Sequence, residues 1–155
     1  MLWTSQQLNA ALNLRQITCS EIGVHGVSID SRTISRGDLF IALDGKPRKP
    51  FQGNVANARD GHEFIRSAES NGAAAVICSQ KIKCKIPSFL VNDTLDALWD
   101  LAKFARDRMN GEVLAITGSA GKTTTRVWLE ELLRAQGRTH ASVASYNNHW
   151  GVPLS

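Results

Sequence analysis

The sequence contains no apolar run long enough to cross a membrane. Its longest apolar stretches, at residues 38–43 and 73–78, are far shorter than the roughly 20 residues that a membrane-spanning helix needs. Residues 1–13 also lack a basic region followed by an apolar core, which is the pattern of a secretory signal. We therefore expect a soluble protein of the cytoplasm.

Cysteine and histidine are also scarce. The three cysteines, Cys19, Cys78 and Cys84, are odd in number and show no CxxC spacing. The four histidines have no spacing typical of metal ligands either. These absences argue against a disulfide framework and a zinc site, so we expect reduced thiols, as in a reducing compartment.

The chain has only a small excess of positive charge. Eighteen Lys and Arg residues against 14 Asp and Glu residues give a formal net charge of +4. Basic residues concentrate at 46–49 and 81–85, where the lysines alternate with Ile82 and Cys84 rather than with aromatic residues. A nucleic-acid interface usually combines a basic face with aromatic side chains. We therefore expect solvated loops and no nucleic-acid partner.

Apolar periodicity predicts an α/β fold over residues 1–110, because short runs of strand length alternate with amphipathic helical segments. The predicted strands lie around Val27 and Ile29 and at 37–43, 73–79 and 87–91. The predicted helices are 4–12, with a capping box at Thr4 and Gln7; 60–72, ending at Gly72; and 92–111, capped by Asp93 or Thr94 and ended by Gly111.

A second unit is predicted to begin near residue 111. A buried-strand pattern at 112–117 precedes a glycine turn, a helix at 122–137 closed by Gly137, and another strand at 138–144. This order is a strand-loop-helix-strand unit. The pattern therefore divides the chain into a domain at 1–110 and the truncated start of a second domain at 111–155.

The turn between this strand and helix has the features of a phosphate-binding loop. Gly118 and Gly121 allow the backbone to approach a polyphosphate, and the amides of residues 119–123 can donate to it. Lys122 adds a positive charge, and the Thr123 hydroxyl is suited to ligate magnesium. The match to G-x-x-x-x-G-K-[ST] is incomplete, because Ile116 stands in place of the first glycine. A purely geometric turn with a solvated lysine is the alternative.

Four segments, in order along the chain, carry a more specific resemblance. They are VSIDSRTISRGDLFIALDG at 27–45, DGHEFIRSAESNGAAAVI at 60–77, TGSAGKTTT at 117–125 and YNNHWGVPLS at 146–155. They resemble signatures of the Mur ligase family, the ATP-dependent enzymes that add amino acids or a dipeptide to the peptidoglycan precursor. The last segment is similar to a stretch typical of the members that use D-alanyl-D-alanine.

The resemblance implies a UDP-substrate domain with a mixed sheet and flanking helices, followed by the start of a P-loop ATPase domain. It implies that ATP phosphorylates the terminal carboxylate of UDP-N-acetylmuramoyl-tripeptide and that the amine of D-alanyl-D-alanine attacks the acyl phosphate. ATP and magnesium are the implied cofactors. Family members are much longer and have three domains, so we expect these residues alone to be inactive in ligation.

The resemblance also assigns site residues. Lys122 is the implied catalytic residue, and Thr123 is the implied magnesium ligand. The ATP-binding residues are Gly118, Ser119, Ala120, Gly121, Lys122, Thr123 and Thr124. The residues for the UDP-substrate are Ser31, Arg32, Asn147 and Asn148, with the loop at 45–54.

Several alternatives stay open at this point. Arg32 can instead form a structural pair with Asp30 or Asp38, and Asn147 and Asn148 can be turn residues. The apolar faces that carry Trp99 and Trp128, and the helix-start position of His62, favour structural roles for all three. At the level of function, the alternatives are a tripeptide-forming member of the family and a non-catalytic module that binds a UDP-sugar or a partner.

Overall fold

A computed structural model describes residues 1–14, 21–45, 59–142 and 148–155. It has the mixed α/β architecture that the sequence predicts. The strands are β1 Trp3–Thr4, β2 Gly23–Val24, β3 Val27–Ser28, β4 Leu39–Ile41, β5 Ala75–Cys78 and β6 Ser88–Leu90. The helices are α1 Ser5–Ala11, a 3₁₀ turn Gly61–Phe64, α2 Ile65–Ser70, α3 Thr94–Asp107, α4 Lys122–Arg134 and α5 Gly151–Leu154.

The strands form two sheets. β1 and β2 pair antiparallel, whereas β3, β4, β5 and β6 form a four-stranded parallel sheet in that order. All seven residues of β4 and β5 are buried, as expected for a parallel sheet that is covered on both faces. This burial explains why both strands are continuous apolar runs in the sequence rather than alternating ones.

Alternate residues of the two central strands enter two separate cores. Leu39 and Ile41 of β4 belong to a larger core that includes Leu98 of α3, while Phe40 between them packs with Ile65 of α2. β5 follows the same alternation, because Phe40 pairs in register with Val76 and faces the same side. The parallel sheet therefore lies between α3 on one face and α2 on the other.

The predicted ends of the first two helices are confirmed. The Thr4 side chain accepts from the Gln7 amide at 3.2 Å, and the Thr4 amide donates to the Gln7 side chain at 3.0 Å, which completes the capping box. α2 ends just before Gly72, which has a φ of +96°. A Cβ at this glycine would also lie only 3.3 Å from the Cα of Arg36. Gly72 is thus required by both backbone conformation and space.

The expected end of α3 at Gly111 is wrong. Asp93 caps the start of the helix, since its carboxylate accepts from the Asp96 amide at 2.8 Å, but the helix ends at Asp107. The next residue, Arg108, donates from Nη2 to the Leu2 carbonyl at 2.9 Å and stacks 4.0 Å from the centre of the Trp3 ring. These tertiary contacts hold the end of α3 against β1 before the chain reaches the glycine.

The strands predicted on either side of the phosphate loop are also wrong. Residues 112–117 and 138–142 are described and form no strand, and residues 143–144 of the second prediction lie outside the described part. Val113 is 54% exposed and Leu114 is 59% exposed. A strand needs a hydrogen-bonded neighbour, and no described segment pairs with either run.

The helix predicted after the loop is present as α4, but it contributes no buried residue to a core. The amides of Gln136 and Gly137 both donate to the Leu133 carbonyl. Gly137, where the sequence predicts the helix to end, therefore belongs to its closing turn. No residue of α4 is buried, and Trp128 is 68% exposed, which makes its expected core position wrong. None of the described helices is both long enough and apolar enough to cross a membrane.

The contrast between α3 and α4 predicts very different costs for the same substitution. Leu98→Ala should lower the free energy of unfolding by about 2–5 kcal/mol, because it empties a fully packed site. Leu132→Ala on the exposed face of α4 should change it by no more than about 0.5 kcal/mol. Urea unfolding followed by circular dichroism measures both, and equal losses would contradict the described packing.

Candidate functional site

The phosphate loop has a backbone conformation that only glycine adopts readily. Gly121, the residue before α4, has a φ of +77°, and Gly118 has a φ of +150°. Lys122 begins the helix and folds back so that its Nζ donates to the Gly118 carbonyl at 2.5 Å. The lysine ammonium therefore lies over the loop, where an anion bound to the loop would meet it.

Three backbone amides at the start of α4 are available to a ligand. The first regular helical bond runs from the Thr125 amide to the Gly121 carbonyl at 2.9 Å. Within the described chain, the amides of Lys122, Thr123 and Thr124 have no hydrogen-bond partner, as is usual for a first helical turn. Together with the helix dipole, they favour an anion at this position.

The donor set at the loop fits magnesium bound through a nucleotide better than a magnesium site made by protein alone. Among the described residues, no group of three or more His, Cys, Asp or Glu side chains could hold a metal ion. The Thr123 hydroxyl is exposed and makes no hydrogen bond to the described chain. Magnesium commonly takes one or two protein oxygens and completes its shell with phosphate and water. A single threonine is sufficient for that arrangement.

Arg32 lies in a turn directly after β3, where Asp30 orients it. Its Nε and Nη2 donate to the two Asp30 carboxylate oxygens at 2.9 and 2.6 Å, and its amide donates to Oδ1 at 3.0 Å. The Arg32 side chain hydrogen bond, then its backbone bond, lower the pKa of Asp30 to about 2. Of the two expected pairings, the one with Asp30 forms. Asp38 instead accepts from the Ser35 amide.

The pairing with Asp30 leaves part of the Arg32 guanidinium available. The side chain is 85% exposed, and Nη1 makes no hydrogen bond to the described chain. The neighbouring Ser31 is buried, and its carbonyl accepts from the Asn71 side chain at 2.7 Å. The turn is thus anchored to the end of α2 while it presents Arg32 to solvent.

Asn148 has the turn role that was one of its two expected roles. Its Oδ1 accepts from the Gly151 amide at 2.7 Å, and its carbonyl accepts from the Val152 amide at 3.1 Å. Its Nδ2 group makes no hydrogen bond to the described chain. Asn147 lies outside the described residues, as does most of the loop at 45–54.

His62 is a structural residue, as its position at a helix start favours. It is buried, its Nε2 accepts from the Ser79 amide at 2.9 Å, and its Nδ1 lies 2.5 Å from Asp60 Oδ1. Desolvation raises the pKa of Asp60, but hydrogen bonds from the His62 backbone and ring outweigh it and hold that pKa below its usual value. The histidine therefore ties the 3₁₀ turn to the end of β5.

The predicted site residues lie in three segments that the structure does not join. No hydrogen bond or ion pair links Arg32, Asn148 and Lys122 to one another in the described part of the chain. A contact that the sequence pattern does not reveal is the bond from Trp99 Nε1 on α3 to the His149 carbonyl, at 2.9 Å. The apolar helical face that carries Trp99 was the only available signal, and it does not specify the partner.

Comparison with known proteins shows which family the chain resembles, which the geometry alone does not show. The family described as Mur ligase middle domain matches residues 116–155. A UDP-N-acetylmuramoyl-tripeptide--D-alanyl-D-alanine ligase of Rickettsia prowazekii is 36% identical over 160 residues, which cover 100% of this chain and 32% of the relative. This similarity therefore includes both the parallel-sheet unit and the loop.

Two solved structures show a similar fold. A MurF structure from Acinetobacter baumannii has a TM-score of 0.77 at 33% identity and covers 98% of this chain and 32% of its own. MurF from Thermotoga maritima in complex with ADP has a TM-score of 0.62 at 33% identity and covers 84% of this chain and 28% of its own. The chain thus spans about a third of the length of these relatives.

The ion pair at Arg32 predicts a measurable titration. Since folding lowers the pKa of Asp30 from 3.8 to about 2, the pair stabilises the fold above about pH 4, and this contribution is lost as the pH falls toward 2. Arg32→Ala should move the Asp30 midpoint up toward 3.8, as measured by NMR of its carboxyl carbon. Arg36→Ala is the matched control. An unchanged midpoint in Arg32→Ala would contradict the pairing.

Proposed function

The chain belongs to the Mur ligase family, and from that premise we propose that it is the N-terminal part of an ATP-dependent ligase. The proposed reaction joins D-alanyl-D-alanine to UDP-N-acetylmuramoyl-tripeptide. The observation that carries this proposal is the 36% identity to a D-alanyl-D-alanine ligase over 100% of this chain. The MurF fold over 98% of the chain supports it.

In this proposal, residues 1–110 form the UDP-substrate domain, and residues 111–155 are the first part of the central ATP-binding domain. The match of the middle-domain family to residues 116–155 supports the division. The absence of buried residues on α4 is consistent with a helix that has its packing partners elsewhere in a longer domain. We propose that the 155 residues alone do not carry out ligation.

The loop is proposed to bind the β and γ phosphates of ATP. Lys122 and the three available amides would neutralise charge on the phosphates while a carboxylate oxygen of the tripeptide attacks the γ-phosphorus and ADP leaves. Magnesium held by Thr123 would supply further charge neutralisation between the phosphates. The amine of D-alanyl-D-alanine then attacks the acyl carbon, and inorganic phosphate leaves. The first step needs no base from this chain, because its nucleophile is already a carboxylate.

The remaining loop residues have distinct proposed roles. Gly118 and Gly121 give the loop its conformation, and Ser119 and Ala120 between them are exposed, so their amides can face the phosphates. Thr124 would assist at the phosphates or the metal. The exposed first turn of α4 supports these assignments.

Arg32 is proposed to contact the uridine diphosphate part of the substrate. The Asp30 carboxylate occupies Nε and Nη2, which fixes the guanidinium plane and leaves Nη1 as a donor pair for a phosphate or uracil oxygen. Structural pairing and substrate binding are therefore compatible at this residue. Ser31 would shape the same turn, and Asn147 and Asn148 would present amides to the muramoyl or pyrophosphate part.

Other members of the family form the tripeptide rather than consume it. The closing segment at 146–155, which resembles that of the D-alanyl-D-alanine branch, favours the branch proposed here. A non-catalytic module that binds a UDP-sugar would share the Arg32 site but would not need Lys122. Ligation activity that depends on Lys122 therefore separates the enzyme from the module.

The UDP-substrate site can be tested on this chain directly. Calorimetric titration with UDP-N-acetylmuramoyl-tripeptide should show binding, and Arg32→Ala should weaken it by about ten- to a hundredfold, the effect of losing hydrogen bonds from a charged group. Arg134→Ala removes an exposed arginine of α4 that pairs with Glu130 and should leave binding unchanged. A wild-type chain that does not bind this substrate would refute the proposed site.

The phosphate loop can be tested in a chimaera. We would join these residues to the remaining two-thirds of the Acinetobacter baumannii enzyme and measure ATP-dependent ligation of D-alanyl-D-alanine. Lys122→Ala should lower kcat by at least about a hundredfold while leaving KM for the UDP-substrate nearly unchanged. Lys103→Ala, on exposed α3 surface, is the control. A folded but inactive wild-type chimaera, or an active Lys122→Ala variant, would count against the assignment.

A further inference from the structure

Trp99 connects the sheet-bearing part of the chain to its last described segment. The residue lies on α3, is half-buried, and donates from its indole Nε1 to the main-chain carbonyl of His149 at 2.9 Å. A buried indole N–H usually finds such an acceptor, because leaving it unpaired costs free energy. The bond joins positions 50 residues apart in sequence.

The same segment is also attached by packing, through residues that follow His149. Trp150 and Leu154 pack against the larger core, which includes Leu98 and Leu101 of α3. The Oδ1 atom of Asn148 accepts from the Gly151 amide and so holds the turn that starts α5. Residues 148–155 are therefore seated on α3, although the middle-domain family match includes them.

This arrangement restrains the chain at Asn148 and His149 by two hydrogen bonds. The Trp99 bond holds the His149 carbonyl, and the Gly151 amide holds the Asn148 side-chain oxygen. With Oδ1 accepting from the Gly151 amide, the amide orientation of Asn148 is set, and Nδ2, which makes no hydrogen bond to the described chain, is left as a donor. An oriented donor binds a phosphate or sugar oxygen more tightly than a mobile one, because less conformational entropy is lost on binding.

We propose that Trp99 is a positioning residue for the UDP-substrate, acting through the His149 carbonyl to hold the adjacent Asn148 amide in its binding orientation. The inference rests on the proposed function, because it takes Asn148 as a substrate contact. Trp99 itself touches no substrate in this account. Its indole N–H sets where the segment sits relative to α3, and thereby relative to the Arg32 turn on the same sheet-bearing unit.

The test is a titration of the 155-residue chain with UDP-N-acetylmuramoyl-tripeptide. Trp99→Phe keeps a ring but removes the N–H donor, and it should weaken binding by about three- to tenfold, the range expected for one hydrogen bond. Trp99→Tyr, which keeps a donor on the ring, should weaken binding less than Trp99→Phe does. Trp3→Phe is the matched control, since Trp3 is buried against Phe104 and Arg108 at the other end of α3.

A merely structural role makes a different prediction. If affinity followed stability, Trp3→Phe would weaken binding at least as much as Trp99→Phe, because Trp3 is the more buried ring. If Trp99 acts through Asn148, the effect of Trp99→Phe should disappear in an Asn148→Ala background. Urea unfolding of each variant separates loss of folding from loss of binding.

The outcomes distinguish this inference from the function it rests on. Failure of the wild-type chain to bind the substrate refutes the proposed function. Wild-type binding with an undiminished affinity in Trp99→Phe, or an equal loss in the presence and absence of Asn148→Ala, overturns the role of Trp99 alone. If Trp99→Phe does not fold, the comparison of Trp99→Tyr with Trp3→Phe decides the question by the same criteria.

Discussion

Burial of β4 and β5 on both faces is the constraint on which the described structure depends. Alternate side chains of these strands pack against α3 on one side and α2 on the other, so neither helix can shift without opening a core. The ends of the same elements carry the polar contacts. The Arg32 turn follows β3, Asn71 at the end of α2 holds that turn, and His62 joins the 3₁₀ turn to the end of β5. Apolar packing thus places the polar groups.

The two sites that we propose for phosphate recognition lie in two different physical settings. The Arg32 turn is held by Asp30 and Asn71, so it presents a guanidinium whose orientation is largely set before any ligand binds. The Lys122 loop has the glycine conformations and open amides of an anion site, but it is attached to a helix that has no buried residue, and no strand adjoins it in the described part of the chain. The difference in packing supports assigning substrate binding to this chain and catalysis to a longer ligase.

The last described segment lies in the part of the chain that the middle-domain family matches, but it contacts the part that precedes this match. Residues 148–155 fall within the middle-domain match, yet they pack on α3 and bond to Trp99. The bond from Trp99 provides a physical route by which α3 can influence Asn148, which we propose as a substrate contact and which lies far away in sequence.

The sequence by itself determined the α/β class, the capping box at Thr4, a start of α3 at Asp93 or Thr94 and the end of α2 at Gly72, because these depend on local periodicity and on nearby hydrogen bonds. It also determined the family, through four ordered motifs. Only the tertiary structure decided that Arg32 pairs with Asp30 rather than Asp38, that α3 ends at Asp107, and that 112–117 is not a strand. Each of these depends on which distant group is within reach, and a local pattern carries no information about that distance.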